Sequence, residues 1–320
     1  MTFAVHGPTR RAYNGVALRQ TDMLARLQRC WLALLVLAAL AVAWSLTRIG
    51  ASPWLAALLT IVVLNVHAWV LAFEFAWLRR GVPGAALPRP AASALVAAWW
   101  GEVLTGIRVF GWRQPFRSNA ISDQLTGAQG RRGVVLVHGF VCNRGLWNPW
   151  MHRLRDAGVP YTAINLEPVF GSIERYAALV DQAVQRVTTA TGVVPVVVAH
   201  SMGGLAVRAW LRDPTHAARV HSVVTIATPH AGTALAHLAF SKNTRQMRPG
   251  GPWLQALQRV EAESPRPPFT CYFSHCDNIV FPASHAMLAG ATNQHVPGVA
   301  HVHLAFHPPI LDDVMSRTRA

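Results

Sequence analysis

The ten residues Val196-Val197-Val198-Ala199-His200-Ser201-Met202-Gly203-Gly204-Leu205 decide how this chain is read. A run of valines predicts a buried strand. The serine that follows sits between small residues, and a helix-forming stretch begins directly after it. The pattern is therefore strand, sharp turn, helix. A serine on such a turn holds its hydroxyl above the end of the sheet. The turn also draws together the residues two before and two after it, which calls for small side chains at Ala199 and Gly203. Glycine is the commoner residue at the first of these positions, so alanine is a mild departure. The helix points its positive dipole end at negative charge developing beside the serine. A serine capping an ordinary helix is the plainer reading, and the valine run ahead of it argues against that.

Working outward, Val134–Val137 reads as a second buried strand, closed by His138-Gly139-Phe140. Tyr161–Ile164, 193–198, 220–226 and 270–273 are further strands, and a short one precedes Gly298. Helical periodicity covers 173–189 and 203–211. Strands alternating with helices predict a parallel α/β sheet. No internal repeat or low-complexity segment interrupts it.

If Ser201 is a nucleophile, its base follows it in chain order, with the orienting acid between them. Among the many histidines after Ser201, His301 in Gly298-Val299-Ala300-His301 is the best placed, with His303 as rival. Between Ser201 and His301 the acids are Asp213, Glu261, Glu263 and Asp277. Asp277 is preferred because it lies in the loop after a strand, where side chains reach the top of the sheet. It would fix the imidazole tautomer and stabilise the imidazolium. A tetrahedral oxyanion needs two N–H donors. Met202 would supply one and Phe140 the other, with Gly139 allowing close backbone approach. His138 reads as structural.

These blocks, with Thr228-Pro229-His230-Ala231-Gly232-Thr233 and Ser274-His275-Cys276-Asp277-Asn278-Ile279-Val280, resemble the bacterial triacylglycerol lipases and esterases of the α/β-hydrolase superfamily. The resemblance covers 133–310 and includes small lipases with alanine ahead of the elbow histidine. It implies an α/β-hydrolase fold with a mostly parallel central sheet. It further implies Ser201, Asp277 and His301 as catalytic triad and Phe140 and Met202 as oxyanion hole. Ala300 stands where such lipases often carry glycine.

The N-terminal part lies outside that resemblance. Apolar residues make up 52% of the chain and charged residues 13%, which is rich for a chain wholly in water. The stretches 30–47 and 49–73 carry no charge, each near the roughly 20 residues a bilayer requires. Gly50, Ser52 and Pro53 make the connection, predicting a transmembrane helical hairpin ahead of the sheet. Arg10, Arg11, Arg19, Arg26 and Arg29 precede it, Arg79, Arg80 and Arg89 follow it, and Arg48 stands in the turn. That bias predicts both ends in the cytoplasm, hence a multi-pass inner-membrane protein with a cytoplasmic catalytic domain. Ala41-Val42-Ala43 resembles a signal-peptidase site, an alternative in which the first segment is removed. The stretch 91–111, with Trp99 and Trp100, is interrupted by Glu102 and Arg108 and reads as an interfacial helix, a third span being the alternative. The expected organisation is a basic segment over 1–29, two membrane helices over 30–78, an interfacial helix and linker over 79–132, and a catalytic domain over 133–320.

Net charge is 29 − 14 = +15, nearly all arginine. It favours anionic headgroups as partner, and no basic run interleaved with aromatics points to nucleic acid. The four cysteines show no disulfide framework and are read as free thiols. No metal-ligand spacing is present, so no metal and no cofactor is expected. Phe140, Trp147, Trp150 and Met202 would surround Ser201 with apolar surface, favouring a lipid or other acyl ester, unless the tryptophans are core. The segment 239–260 reads as a partial lid or an ordinary surface helix. Acyl transfer or thioester cleavage by the same machinery, and a non-catalytic membrane scaffold, are the competing functions.

Overall fold

Val134–Val137 (β1) is buried at every residue, as a strand covered on both faces must be. Val135 and Val137 face one apolar layer, while Val134 and Leu136 face the other. Around it the computed structural model, which describes residues 23–81 and 88–319, places five more strands. They are Tyr161–Ile164 (β2), Val196–His200 (β3), Ser222–Ile226 (β4), Phe269–Phe273 (β5) and Thr292–His295 (β6). The order is β2-β1-β3-β4-β5-β6. Every pairing is parallel, where a mostly parallel sheet was expected. The expected strand over 193–198 begins three residues later, because Pro195 has no N–H to give the ladder. It runs on to His200, so Ser201 stands at the carboxyl end of a central strand.

Twelve α-helices complete the described residues: Met23–Arg48 (α1), Pro53–Leu64 (α2), Val66–Arg80 (α3), Ala92–Arg108 (α4), Gln114–Arg117 (α5), Asn148–Asp156 (α6), Ile173–Thr191 (α7), Met202–Trp210 (α8), Lys242–Gln246 (α9), Pro252–Ala262 (α10), His301–Leu304 (α11) and Pro308–Arg317 (α12). Helices α7 and α8 cover one face of the sheet through Val180, Val184, Leu205 and Ala206. Helices α6 and α12 cover the other through Met151, Leu154, Ile310 and Val314.

Helix α1 is long and apolar enough to cross a membrane. Its first turns are packed: Leu24, Ala25 and Gln28 are buried, and Gln28 Nε2 donates to Gln114 Oε1 of α5 at 2.7 Å. Beyond them Trp31, Leu34, Leu37, Leu40 and Trp44 are exposed. The second uncharged stretch is two helices rather than one. α2 and α3 meet at Asn65 with a bend of 63°, where the Asn65 side chain donates to the Ile61 carbonyl. Together they are apolar enough for one bent span.

Helix α4 turns Leu95, Ala98, Glu102, Val103 and Thr105 inward. A π-helical turn, Val109–Arg113, links it to α5. Val109 and Ile121 join the same apolar layer as Leu136 and Trp147, so the segment between α4 and β1 packs onto the sheet's covering layer at these residues. The basic residues Arg10, Arg11 and Arg19 lie outside the described residues. All four cysteines are free thiols.

Candidate active site

Ser201 has φ 54° and ψ −131°, a left-handed conformation that a serine adopts only under constraint. The constraint is visible on both sides. Its N–H donates to the Ile226 carbonyl of β4 at 2.8 Å, and α8 begins at the next residue. A Cβ on Gly203 would lie 2.5 Å from the His138 carbonyl oxygen and 2.7 Å from that of Val137. The need for a small residue there thus comes from the end of β1, rather than from Ala199 as the sequence suggested. Gly139 is as tightly placed: a Cβ would meet Ser201 Cβ at 2.7 Å.

The structure brings Ser201, Asp277 and His301 together. The Ser201 hydroxyl lies 3.0 Å from His301 Nε2. His301 Nδ1 lies 3.0 Å from both Asp277 carboxylate oxygens. Asp277 Oδ1 also accepts from the Ile279 and Val280 N–H groups, each at 2.8 Å, which fixes the carboxylate in its loop after β5. With Nδ1–H directed at a carboxylate, Nε2 is the acceptor for the serine proton. All three groups are more than nine-tenths buried. Burial alone would lower the His301 pKa, yet the Asp277 charge and hydrogen bond raise it above the ordinary imidazole value.

The rival residues are elsewhere. His303 packs its ring against Gly101 of α4. Asp213 caps the turn at Thr215, and Glu261 forms an ion pair with the fully buried Arg208 at 2.7 Å. His138 is structural, as expected: Nε2 accepts from Leu166 N–H at 3.0 Å, and Nδ1 donates to the Gly139 carbonyl. Burial holds its pKa down at about 4, so the ring is neutral near pH 7.

Phe140 follows Gly139 beside the serine, and Met202 is the first residue of α8, where an N–H has no intrahelical partner. Phe140 is half-buried and meets Phe170 edge-to-face at 5.9 Å. Trp147 and Trp150 do not line the site. They are 0% and 1% exposed, packed on each other in the core, and Trp150 Nε1 donates to the Ala305 carbonyl. The stretch 239–260 is tied down rather than free: Leu254 and Leu257 of α10 are buried, and its last turn is held by the Arg208–Glu261 pair.

The sequence profile of the alpha/beta hydrolase family matches residues 134–313. This chain belongs to the alpha/beta hydrolase family. No curated protein matches it. Among solved structures, this alpha/beta hydrolase is similar to the mature form of a Bacillus licheniformis lipase, BlEst2, with 17% identity over 57% of this chain and 92% of that one, at a TM-score of 0.51. The propeptide form of the same lipase gives 17% identity over 62% and 53%, at 0.54. Aspergillus fumigatus lipase B gives 22% over 67% and 51%, at 0.49. At such identities the likeness is one of fold.

Four residues around the hydrolase site were missed by sequence reasoning: Glu74, Glu102, His200 and Asn278. His200 Nε2 bonds the His301 carbonyl at 3.1 Å, and burial, then the His301 charge, holds the His200 ring neutral with a pKa of about 3. Asn278 Oδ1 accepts from the His301 N–H at 3.3 Å. Glu74 and Glu102 were legible as lone carboxylates at the end of, and inside, apolar helices. Glu102 was read as an interruption, and Glu74 as the end of the uncharged stretch 49–73.

Proposed function

We propose that this chain is a membrane-anchored serine hydrolase that cleaves carboxylic esters, of lipids or other acyl compounds, through an acyl-enzyme. The row of contacts from Ser201 through His301 to Asp277, each step 3.0 Å, carries the reading. Family membership and the apolar Phe140–Phe170 pair beside the serine support it.

In the proposed reaction His301 Nε2 takes the Ser201 proton as Oγ bonds to the ester carbonyl carbon. The oxyanion receives N–H donors from Phe140 and Met202, with the α8 N-terminus behind them. Asp277 balances the imidazolium. When the tetrahedral species collapses, the C–O bond breaks and His301 protonates the departing alcohol. Water then gives a proton to His301 as it attacks the acyl carbon; on collapse the acyl–Oγ bond breaks, His301 returns the proton to Ser201 Oγ, and the carboxylic acid departs. No step draws on a metal or cofactor.

For the rest of the chain we propose the organisation set out from the sequence: a basic segment over 1–29, membrane helices within 30–78, an interfacial helix and linker over 79–132, and the catalytic domain over 133–320. The exposed apolar face of α1 and the arginine bias support an inner-membrane location with the catalytic domain in the cytoplasm.

Activity profiling on membranes tests the chemistry. A fluorophosphonate should label the wild type and fail to label Ser201→Ala, whose ester turnover should fall by on the order of 10⁴-fold or more. Undiminished labelling of the variant would remove Ser201 as nucleophile.

A further inference from the structure

His301 is the first residue of α11, a single turn whose leading N–H groups need acceptors from outside the helix. Glu102, 3% exposed and carried on α4, supplies them with both oxygens. Oε1 accepts from Val302 N–H at 2.8 Å and Oε2 from His303 N–H at 2.9 Å. A second carboxylate reaches the same place from α3. Glu74 Oε2 accepts from Asn278 Nδ2 at 2.6 Å, and Asn278 Oδ1 receives the His301 N–H. Asn278 directly follows Asp277, so Glu74 touches the acid loop and, through one amide, the base loop.

The packing repeats the arrangement in apolar form. Phe75 of α3 and Leu95 and Ala98 of α4 share one buried cluster with Cys276 and Ala300, the residues immediately before Asp277 and His301. Trp77 meets Phe281 edge-to-face at 5.8 Å. Gly101 admits the His303 ring, since a Cβ there would lie 2.6 Å from Nδ1. Leucine or methionine would fill a buried position on α4 without the desolvation cost of a carboxylate. What the carboxylate adds is the set of acceptors it presents to the backbone beside His301.

We infer that Glu102 and Glu74 are positioning residues for the proposed ester hydrolysis: helices α3 and α4, which precede the matched family region, clamp the loops carrying the base and the acid. The inference rests on the reading of Ser201, Asp277 and His301 given above. The charged and titratable groups facing His301 are Asp277 after β5, His200 on β3, Glu102 on α4 and Glu74 on α3. Burial lowers the His301 pKa, while Asp277 most strongly, then Glu102 and Glu74, raise it. Burial pushes Glu102 itself up to about 7, so at pH 8.5 it is ionised and accepts both bonds. Removing either carboxylate's charge disfavours the imidazolium and lowers the His301 pKa. Neutral base then persists to lower pH, and the acidic limb of kcat/KM moves down.

The test uses the full chain in detergent micelles, with nitrophenyl ester kinetics from pH 5 to 9 and active sites counted by fluorophosphonate. Per active site, E102Q should lose roughly tenfold or more in kcat at pH 8.5, with KM little changed. Its acidic limb should move down by about half a unit or more. E74Q keeps an oxygen for Asn278 and should shift the limb while retaining most of kcat. E74L removes the acceptor and should lose kcat as well, so Gln rescues what Leu destroys. The E74Q and E74L pair decides the matter by itself should E102Q fail to fold. Wild-type kcat and an unmoved acidic limb in the variants, with only a lower melting temperature, would reduce both residues to structural roles and overturn the inference. A wild type without Ser201-dependent labelling takes down the site reading as well, whereas a labelled wild type with unaltered variants takes down this inference alone.

Discussion

The backbone of Ser201, more than its side chain, explains why it stands where it does. A positive φ at a non-glycine residue is held here by a hydrogen bond to β4, by the start of α8 and by the close approach of Gly139. Gly139→Ala would drive a methyl group to within 2.7 Å of Ser201 Cβ, and backbone on one side or the other must move. We expect kcat to fall on the order of 10²-fold with modest change in KM, because small displacements of reacting atoms cost that much. Steady-state ester kinetics checks it; near-wild-type kcat would mean the loop can yield without disturbing the serine. At this scale the sequence was informative wherever chemistry demanded one residue type in one order. Ser201, Asp277 and His301 could be nominated because a nucleophile, its acid and its base follow a known chain order. Trp147 and Trp150 could not be placed: Trp147 closes a 3-10 turn over Arg144–Trp147, Trp150 stands on α6, and both rings are turned into the core. Nearness in sequence to the Gly139 loop says nothing about such a rotation.

Among elements, the strands were the most legible, since valine runs buried on both faces leave little choice. The departures have local causes: Pro195 delays β3, and Asn65 splits the second apolar stretch into α2 and α3. The junction of β1 with α8 is tighter than the elbow pattern alone conveys. Gly203→Ala would press a methyl against the Val137 and His138 carbonyl oxygens at the end of β1, so we expect a loss of about 1–3 kcal/mol from overpacking, read as a lower melting temperature. An unchanged melting temperature would show that α8 can slide on its strand. Helix α4 is where sequence reading fell short. Its apolar face was recognised, but Glu102 counted as a blemish on that face. Only the three-dimensional position of α11, some two hundred residues later, shows why a carboxylate is there.

At the scale of the molecule, composition pointed to a chain divided between water and lipid, and α1 has the length and apolar surface for it. The proposed orientation puts the turn at Arg48 on the far side of the membrane from the catalytic layer. In a Cys30→Ser background, Arg48→Cys should react with an impermeant maleimide added to intact spheroplasts. The thiols of Cys142, Cys271 and Cys276 are buried and should stay silent. Labelling only after lysis would reverse the topology. The sequence carried the charge bias behind this prediction, but not the bend at Asn65 or the seating of α1 on α5, which depend on contacts between distant segments.

That seating has a consequence for how such a protein would meet its substrate. Because Gln28 is locked to Gln114 at the foot of α1, no slack leash separates that helix from the sheet. Were α1 embedded as proposed, the Phe140 side of the site would keep a set height and tilt over the headgroups. Encounters would then follow two-dimensional drift of molecules within the leaflet, and turnover would track their surface density rather than their bulk concentration.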